Sequence, residues 1–214
     1  MSRLKGPLIL FVVDMQNGFC HSSGSFSKIG LPTSRQAAIV PTIKKLAESC
    51  RAQGIPILYT KMEFNEDFSD AGIILNGLAG IKEAKALIRD SWDAQILDAL
   101  HPRSDDFVIS KTRHSAFFET ALVQFLSEKD IHQIILTGVG TNVCVESTAR
   151  DAYTYGFLPI TVEDATATLS QEEHDASIIN LQNFGGTITS KALEDELRSL
   201  AHVATDAART SICE

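Results

Sequence analysis

The chain has 214 residues, 44% of them hydrophobic and 21% charged. Area scaling lets a chain of this size bury roughly 70% of its unfolded surface, which excludes disordered, fibrous and disulfide-stapled classes and predicts a single domain with a full core. Nineteen Lys and Arg against 27 Asp and Glu give a formal net charge of −8; with no basic cluster against that excess, nucleic acid and anionic membrane are excluded as partners and a small molecule is expected.

The first apolar run, Leu8 to Val13, is stopped by Asp14 with no small-residue cleavage site after it, so it reads as a strand and not a signal peptide. Similar short runs follow at Ile55 to Thr60, Phe107 to Ser110, Ile134 to Thr137, Leu158 to Val162 and Thr187 to Thr189. Runs of this kind are strands buried on both faces. Between them, Pro41 to Gln53 and Phe117 to Lys129 carry the 3.6-residue periodicity of crossover helices. Strand and helix alternating in this way predict a three-layer α/β fold: an open, mostly parallel six-stranded sheet with helices on both faces. The core is expected over residues 8–189, and residues 201–214 as a weakly ordered tail. Glu63 to Trp92, with Gly72, Gly77 and Gly80 among apolar residues, is the least regular stretch and is expected to form a lid or a subunit contact. No stretch approaches the roughly 18 apolar residues of a membrane span. Cys20, Cys50, Cys144 and Cys213 lack C-x-x-C spacing, which fits reduced thiols in the cytoplasm.

Ligands of open α/β sheets bind beyond the carboxyl ends of the strands. Asp14 follows the first run directly, Lys111 follows the third, and Cys144 lies shortly after the fourth. Taken singly, each has a plainer reading: a turn or cap residue, a solvated lysine, a small buried hydrophobe. Their conjunction at one sheet edge is what suggests chemistry. Gly138-Val139-Gly140-Thr141-Asn142-Val143-Cys144 reads as a strand end, a glycine-rich turn and a helix capped near Thr141 or Asn142. The sulfur in a first helical turn beside Lys111 is therefore expected to have a pKa below the usual value of about 8.5. Asp14 would serve as proton-transfer group for a Cys144 nucleophile. The six histidines show no H-x-H or H-E-x-x-H spacing, so no metal or other cofactor is expected. Gly138-x-Gly140 lacks the third glycine of a dinucleotide fingerprint, that position being Val143.

Val13-Asp14-Met15-Gln16-Asn17, Ser110-Lys111-Thr112-Arg113-His114-Ser115-Ala116-Phe117-Phe118, and Gly138 to Cys144 running on to Ala152 resemble the isochorismatase-like cysteine hydrolases over roughly Leu8 to Thr189. The resemblance implies a catalytic triad of Asp14, Lys111 and Cys144, a cis peptide at Val139-Gly140, oxyanion-binding amides at Gly140 and Cys144, and a homodimer or homotetramer. Nicotinamidases of this family carry D-x-H metal ligands after the second strand; Thr60-Lys61-Met62-Glu63-Phe64 has no histidine, which implies metal-independent chemistry. Branches that cleave the isochorismate vinyl ether can lack the cysteine, so Cys144 favours C–N cleavage. The stretches around Trp92, Phe118 and Cys144 are most similar to ureidoacrylate amidohydrolases.

The expected activity is thus a metal-independent cysteine amidohydrolase acting on a small ureido or amide compound through a Cys144 acyl-enzyme. Phe19, Met62, Phe64, Trp92 and His114 are nominated as substrate-binding walls. Arg113 and Lys61 are candidates for a substrate carboxylate, against ordinary surface charge. The alternatives are an isochorismatase-type ether hydrolase, and a non-catalytic binding module or thiol sensor using Cys144.

Overall fold

The computed structural model describes residues 3–210, with side chains described for 3–200. Six strands form one sheet: β1 (Leu8–Val13), β2 (Ile57–Met62), β3 (Phe107–Lys111), β4 (Gln133–Val139), β5 (Leu158–Ala167) and β6 (Thr187–Ile188). Their order is β3-β2-β1-β4-β5-β6. Every pairing is parallel. The chain runs outward from β1 to one edge and then resumes at β4 on its other side. The crevice at the carboxyl ends of β1 and β4 is the position where such a sheet binds ligands.

Side-chain alternation sends the central strands into two cores. Leu10, Val12, Tyr59 and Ile135 pack on one face with Ile43, Leu46 and Cys50 of α4 (Val40–Ala52) and with Leu193 and Leu197 of α9 (Ser190–Thr210). Ile9, Phe11, Val13, Leu58 and Leu136 pack on the other with Leu122 and Leu126 of α6 (Leu122–Glu128) and Ala149 of α7 (Glu146–Thr154). β1 is buried at all six positions, and so is β4 at all seven. This is why both read as unbroken apolar runs.

Several boundaries differ from the sequence-based expectation. β2 starts after Pro56, which lacks the amide a ladder needs, and continues two residues beyond Thr60 because Lys61 and Met62 pair with Ser110 and Lys111. β5 runs to Ala167 through a register shift opposite Leu136 and Gly138, extending far past Val162. The helix expected from Phe117 forms only over Leu122–Glu128, since residues 113–121 are spent in turns. The tail expectation for residues 201–214 concerns side chains outside the described ones; the backbone of α9 is helical to Thr210. Among the described residues, no helix is long and apolar enough to cross a membrane.

Gly138 is required by the packing of β4 on β1. Its φ is +109°, and a Cβ there would lie 2.1 Å from the Val13 carbonyl oxygen. Only glycine allows so close an approach in this backbone conformation.

Candidate active site

Asp14, Lys111 and Cys144 converge although they leave three different elements. Asp14 follows β1 with φ +52°, a left-handed conformation that Asp tolerates better than most residues, and its side chain is sealed from solvent. Thr60, its neighbour on β2, fixes the carboxylate: the Thr60 hydroxyl donates to Asp14 Oδ1 at 2.6 Å and accepts from the Asp14 amide at 3.1 Å. Lys111 ends β3, two strands away. Strands about 4.8 Å apart put β3 and β1 roughly 10 Å from each other, and the long lysine side chain spans the gap from its position opposite Met62 in the ladder. Its Nζ lies 2.6 Å from Asp14 Oδ2, with both side chains fully buried. The contact is an ion pair withdrawn from water. Lys111 Nζ also donates to the Arg113 carbonyl at 3.0 Å.

Burial works against the Lys111 ammonium, but the Asp14 carboxylate and the Cys144 sulfur outweigh it and hold its pKa above the ordinary lysine value. Cys144 behaves differently from the sequence-based expectation of a lowered pKa. Burial pushes its thiol up to about 12; Lys111 opposes the rise, and Asp14 adds to it. The expectation counted the cation and the helix start and omitted desolvation, which is the larger effect for a residue only 5% exposed. Burial thus favours the protonated form of the sulfur.

The turn carrying Cys144 also departs from the expected α-helical start. Thr141–Val145 forms one π-helical turn, entered from Gly140 with no side-chain cap. The Gly140 carbonyl accepts from both Val143 and Val145 amides, at 3.0 and 3.1 Å. Such turns concentrate at functional sites because they re-aim a side chain without ending the helix. The Val139–Gly140 peptide preceding it is cis. The turn is held from α8 (Gln171–Leu181): Thr141 Oγ1 lies 2.9 Å from His174 Nδ1, and Ser177 Oγ is 2.5 Å from Glu146 Oε2 and 3.1 Å from the Thr141 carbonyl.

A cavity of about 390 Å³ opens over Cys144. Gly140 and Cys144, the nominated oxyanion pair, both line it, as do Phe19, Met62, Phe64 and His114. His114 is exposed, and desolvation together with Lys111 keeps its imidazole below the ordinary histidine pKa. Trp92 is not part of the wall. The short 3₁₀ turn Trp92–Ala94 sends Asp93 inward and leaves the indole 46% exposed, edge-on to the His21 ring. Arg113 and Lys61 are also placed elsewhere. The Arg113 guanidinium donates to the Asp70, Ala71 and Thr112 carbonyls, and Lys61 pairs with Glu63 at 2.9 Å.

Most of the cavity wall was not legible in the sequence. Phe26 on α2 (Ser25–Lys28) and Ile74 on α5 (Ile74–Gly77) face Cys144 together with Leu78, Ile81 and Leu87. Buried Asp93 ties these irregular stretches together. It accepts from the Ser25 amide and hydroxyl at 2.8 and 2.6 Å and from the Leu87 amide at 2.8 Å. The Glu63 to Trp92 stretch, expected as a lid or subunit contact, therefore supplies one side of the cavity. Thr60 and Asp93 were missed as well; the only signal available for Thr60 was its position at the end of the second apolar run. Cys20, Cys50 and Cys144 are free thiols, Cys213 lies outside the described residues, and the described residues contain no group of three or more His, Cys, Asp or Glu able to hold a metal ion.

The chain is similar to ureidoacrylate amidohydrolase RutB of Yersinia enterocolitica, 33% identical over 193 residues that span 84% of each protein. A cysteine hydrolase from Pseudomonas syringae pv. phaseolicola superposes with a TM-score of 0.82 at 28% identity, covering 90% of this chain and 93% of that one. N-carbamoylsarcosine amidase from Thermoplasma acidophilum superposes with a TM-score of 0.70 at 26% identity, over 86% and 97% of the two chains. The Isochorismatase domain matches residues 8–192, and the chain accordingly belongs to the isochorismatase family.

Proposed function

We propose that this protein is a metal-independent cysteine amidohydrolase that cleaves a C–N bond of a small ureido or amide substrate. The observation that carries the reading is the buried Lys111–Asp14 ion pair set against the Cys144 thiol at the floor of the cavity. The amidohydrolase and amidase activities named for its relatives support it.

Asp14 Oδ2 takes the proton of Cys144 as the sulfur attacks the substrate carbonyl carbon. Because burial favours the protonated sulfur, the thiol proton passes to Asp14 as the carbon–sulfur bond forms, and no free thiolate need accumulate beforehand. Backbone amides of Gly140 and Cys144 hold the oxyanion of the tetrahedral intermediate. Collapse breaks the C–N bond, and Asp14 returns its proton to the departing nitrogen. Water, deprotonated by Asp14, then cleaves the thioester, releasing the acid and restoring the thiol. Lys111 orients Asp14 and compensates its charge throughout. A protonated, buried sulfur is poorly suited to redox sensing, where a stable exposed thiolate is needed.

The test is ammonia release from a panel of ureides, carbamoyl amino acids and simple amides. Turnover that disappears in Cys144→Ala and in Asp14→Asn supports the reading. Turnover unaffected by Cys144→Ala overturns it.

A further inference from the structure

We infer that the cavity is built for uncharged, predominantly apolar amides, with Gln36 meeting a distal neutral polar group of the ligand, and that it discriminates against substrates bearing a carboxylate. This deepens the amidohydrolase reading and rests on it for the identity of the reacting bond.

The first observation is the absence of a cation on the wall. No Lys or Arg is among the residues that line the cavity. Arg113 is engaged by three carbonyls, Lys61 by Glu63 and Lys111 by Asp14, while Arg35, beside Gln36 on α3, donates to the Gln171 side chain and does not line the cavity. The one formal charge on the wall is negative. Glu173 lines the cavity while its carboxylate accepts from the Ser170 amide and hydroxyl in the cap of α8. A carboxylate entering this space loses its hydration and faces no compensating charge. The net charge of −8 adds to the bias by disfavouring the approach of anions.

The second observation is what the wall offers instead. Phe26, Leu31, Ile74, Leu78, Ile81 and Leu87 form an apolar surface opposite the nucleophile, suited to an alkyl or aryl group. Gln36 interrupts it. Carried on α3 (Ser34–Ala38), it is 5% exposed and lines the cavity, yet among the described residues its side chain makes no hydrogen bond and its buried Oε1 has no donor. Buried amides are almost always hydrogen-bonded. An unpartnered acceptor in a cavity wall points to a ligand contact, and a neutral amide N–H donating to Gln36 Oε1 satisfies it.

Three amides of one chain length separate these effects: hexanamide, adipamide and adipamate, the last two differing only in exchanging an amide for a carboxylate. Wild-type kcat/KM for hexanamide and adipamide should exceed that for adipamate by roughly 100-fold or more. Leu31→Arg, which adds a cation to the wall, should move the ratio toward adipamate by at least about tenfold. Gln36→Leu should raise KM for adipamide about tenfold relative to KM for hexanamide. Equal loss on both amides would make Gln36 a packing residue and overturn its role.

Titration of the Cys144→Ala protein with the same three ligands gives a readout that does not need turnover. Tighter binding of the neutral pair there, with no ammonia released by wild type, sustains the selectivity and sinks the amidohydrolase reading. Ammonia release that favours adipamate sustains the amidohydrolase reading and overturns the selectivity. Cys144→Ala protein that binds the three ligands equally, or none of them, also overturns it.

Discussion

Lys111 reaches Asp14 across an intervening strand, and neither charge touches water. Removing one member of such a pair strands the other in the interior. Lys111→Met should therefore cost about 3–5 kcal/mol of unfolding free energy and abolish turnover. The double variant Asp14→Asn/Lys111→Met, which buries no charge, should regain most of that stability and remain inactive. Urea denaturation measures both. A single variant as stable as wild type would mean that the pair is solvated.

The reactivity of Cys144 toward iodoacetamide at neutral pH should change in opposite directions in two variants. Burial and Asp14 hold the thiol proton, and Lys111 pulls against them. Asp14→Asn should label faster than wild type while losing hydrolysis, because the lysine then acts on the sulfur unopposed. Lys111→Met should label more slowly. Mass spectrometry of the alkylated protein over time decides it, and slowed labelling in Asp14→Asn would contradict the assignment.

Cys50, buried on α4, makes stability fall in alkali. Burial raises its thiol from 9.0 to about 12, with Arg51 opposing. A raised folded-state pKa means the folded chain keeps a proton that the unfolded chain has lost. Its contribution is complete below pH 9.0 and disappears as pH climbs toward about 12. The slope from this one thiol approaches about 1.4 kcal/mol per pH unit. Chemical denaturation between those limits should give a shallower decline for Cys50→Ala than for wild type.

Gly138→Ala should destabilise the chain by about 3 kcal/mol or more, combining backbone strain with an unavoidable clash. The added methyl would meet the Val13 carbonyl at 2.1 Å, in backbone that neither β1 nor β4 can yield. Thermal unfolding should show a large fall in Tm. A Tm near that of wild type would mean that the two strands are further apart than described.

The chemistry of this protein was more legible than its selectivity, for a physical reason. Asp14 and Lys111 mark the points where apolar runs stop, the first fully buried and the second, on edge strand β3, partly exposed against expectation, and a glycine-rich turn announces Cys144; parallel pairing brings such strand ends together. The wall opposite the sulfur comes from residues 63–92 and from short helices such as α2 and α5, whose apolar side chains follow neither a 2.0 nor a 3.6 period. Trp92 was misplaced because one 3₁₀ turn decides which of three successive side chains points inward. The thiol was misjudged because helix position and a neighbouring lysine can be read from sequence, whereas the depth of burial cannot.

Asp93 draws out what this division means. One carboxylate, answering two backbone amides and a hydroxyl, sets the spacing between the Ser25 and Leu87 strips of the wall. Asp14 and Lys111 stand on strand ends outside those strips, so a substitution within the strips reshapes the cavity without touching the ion pair.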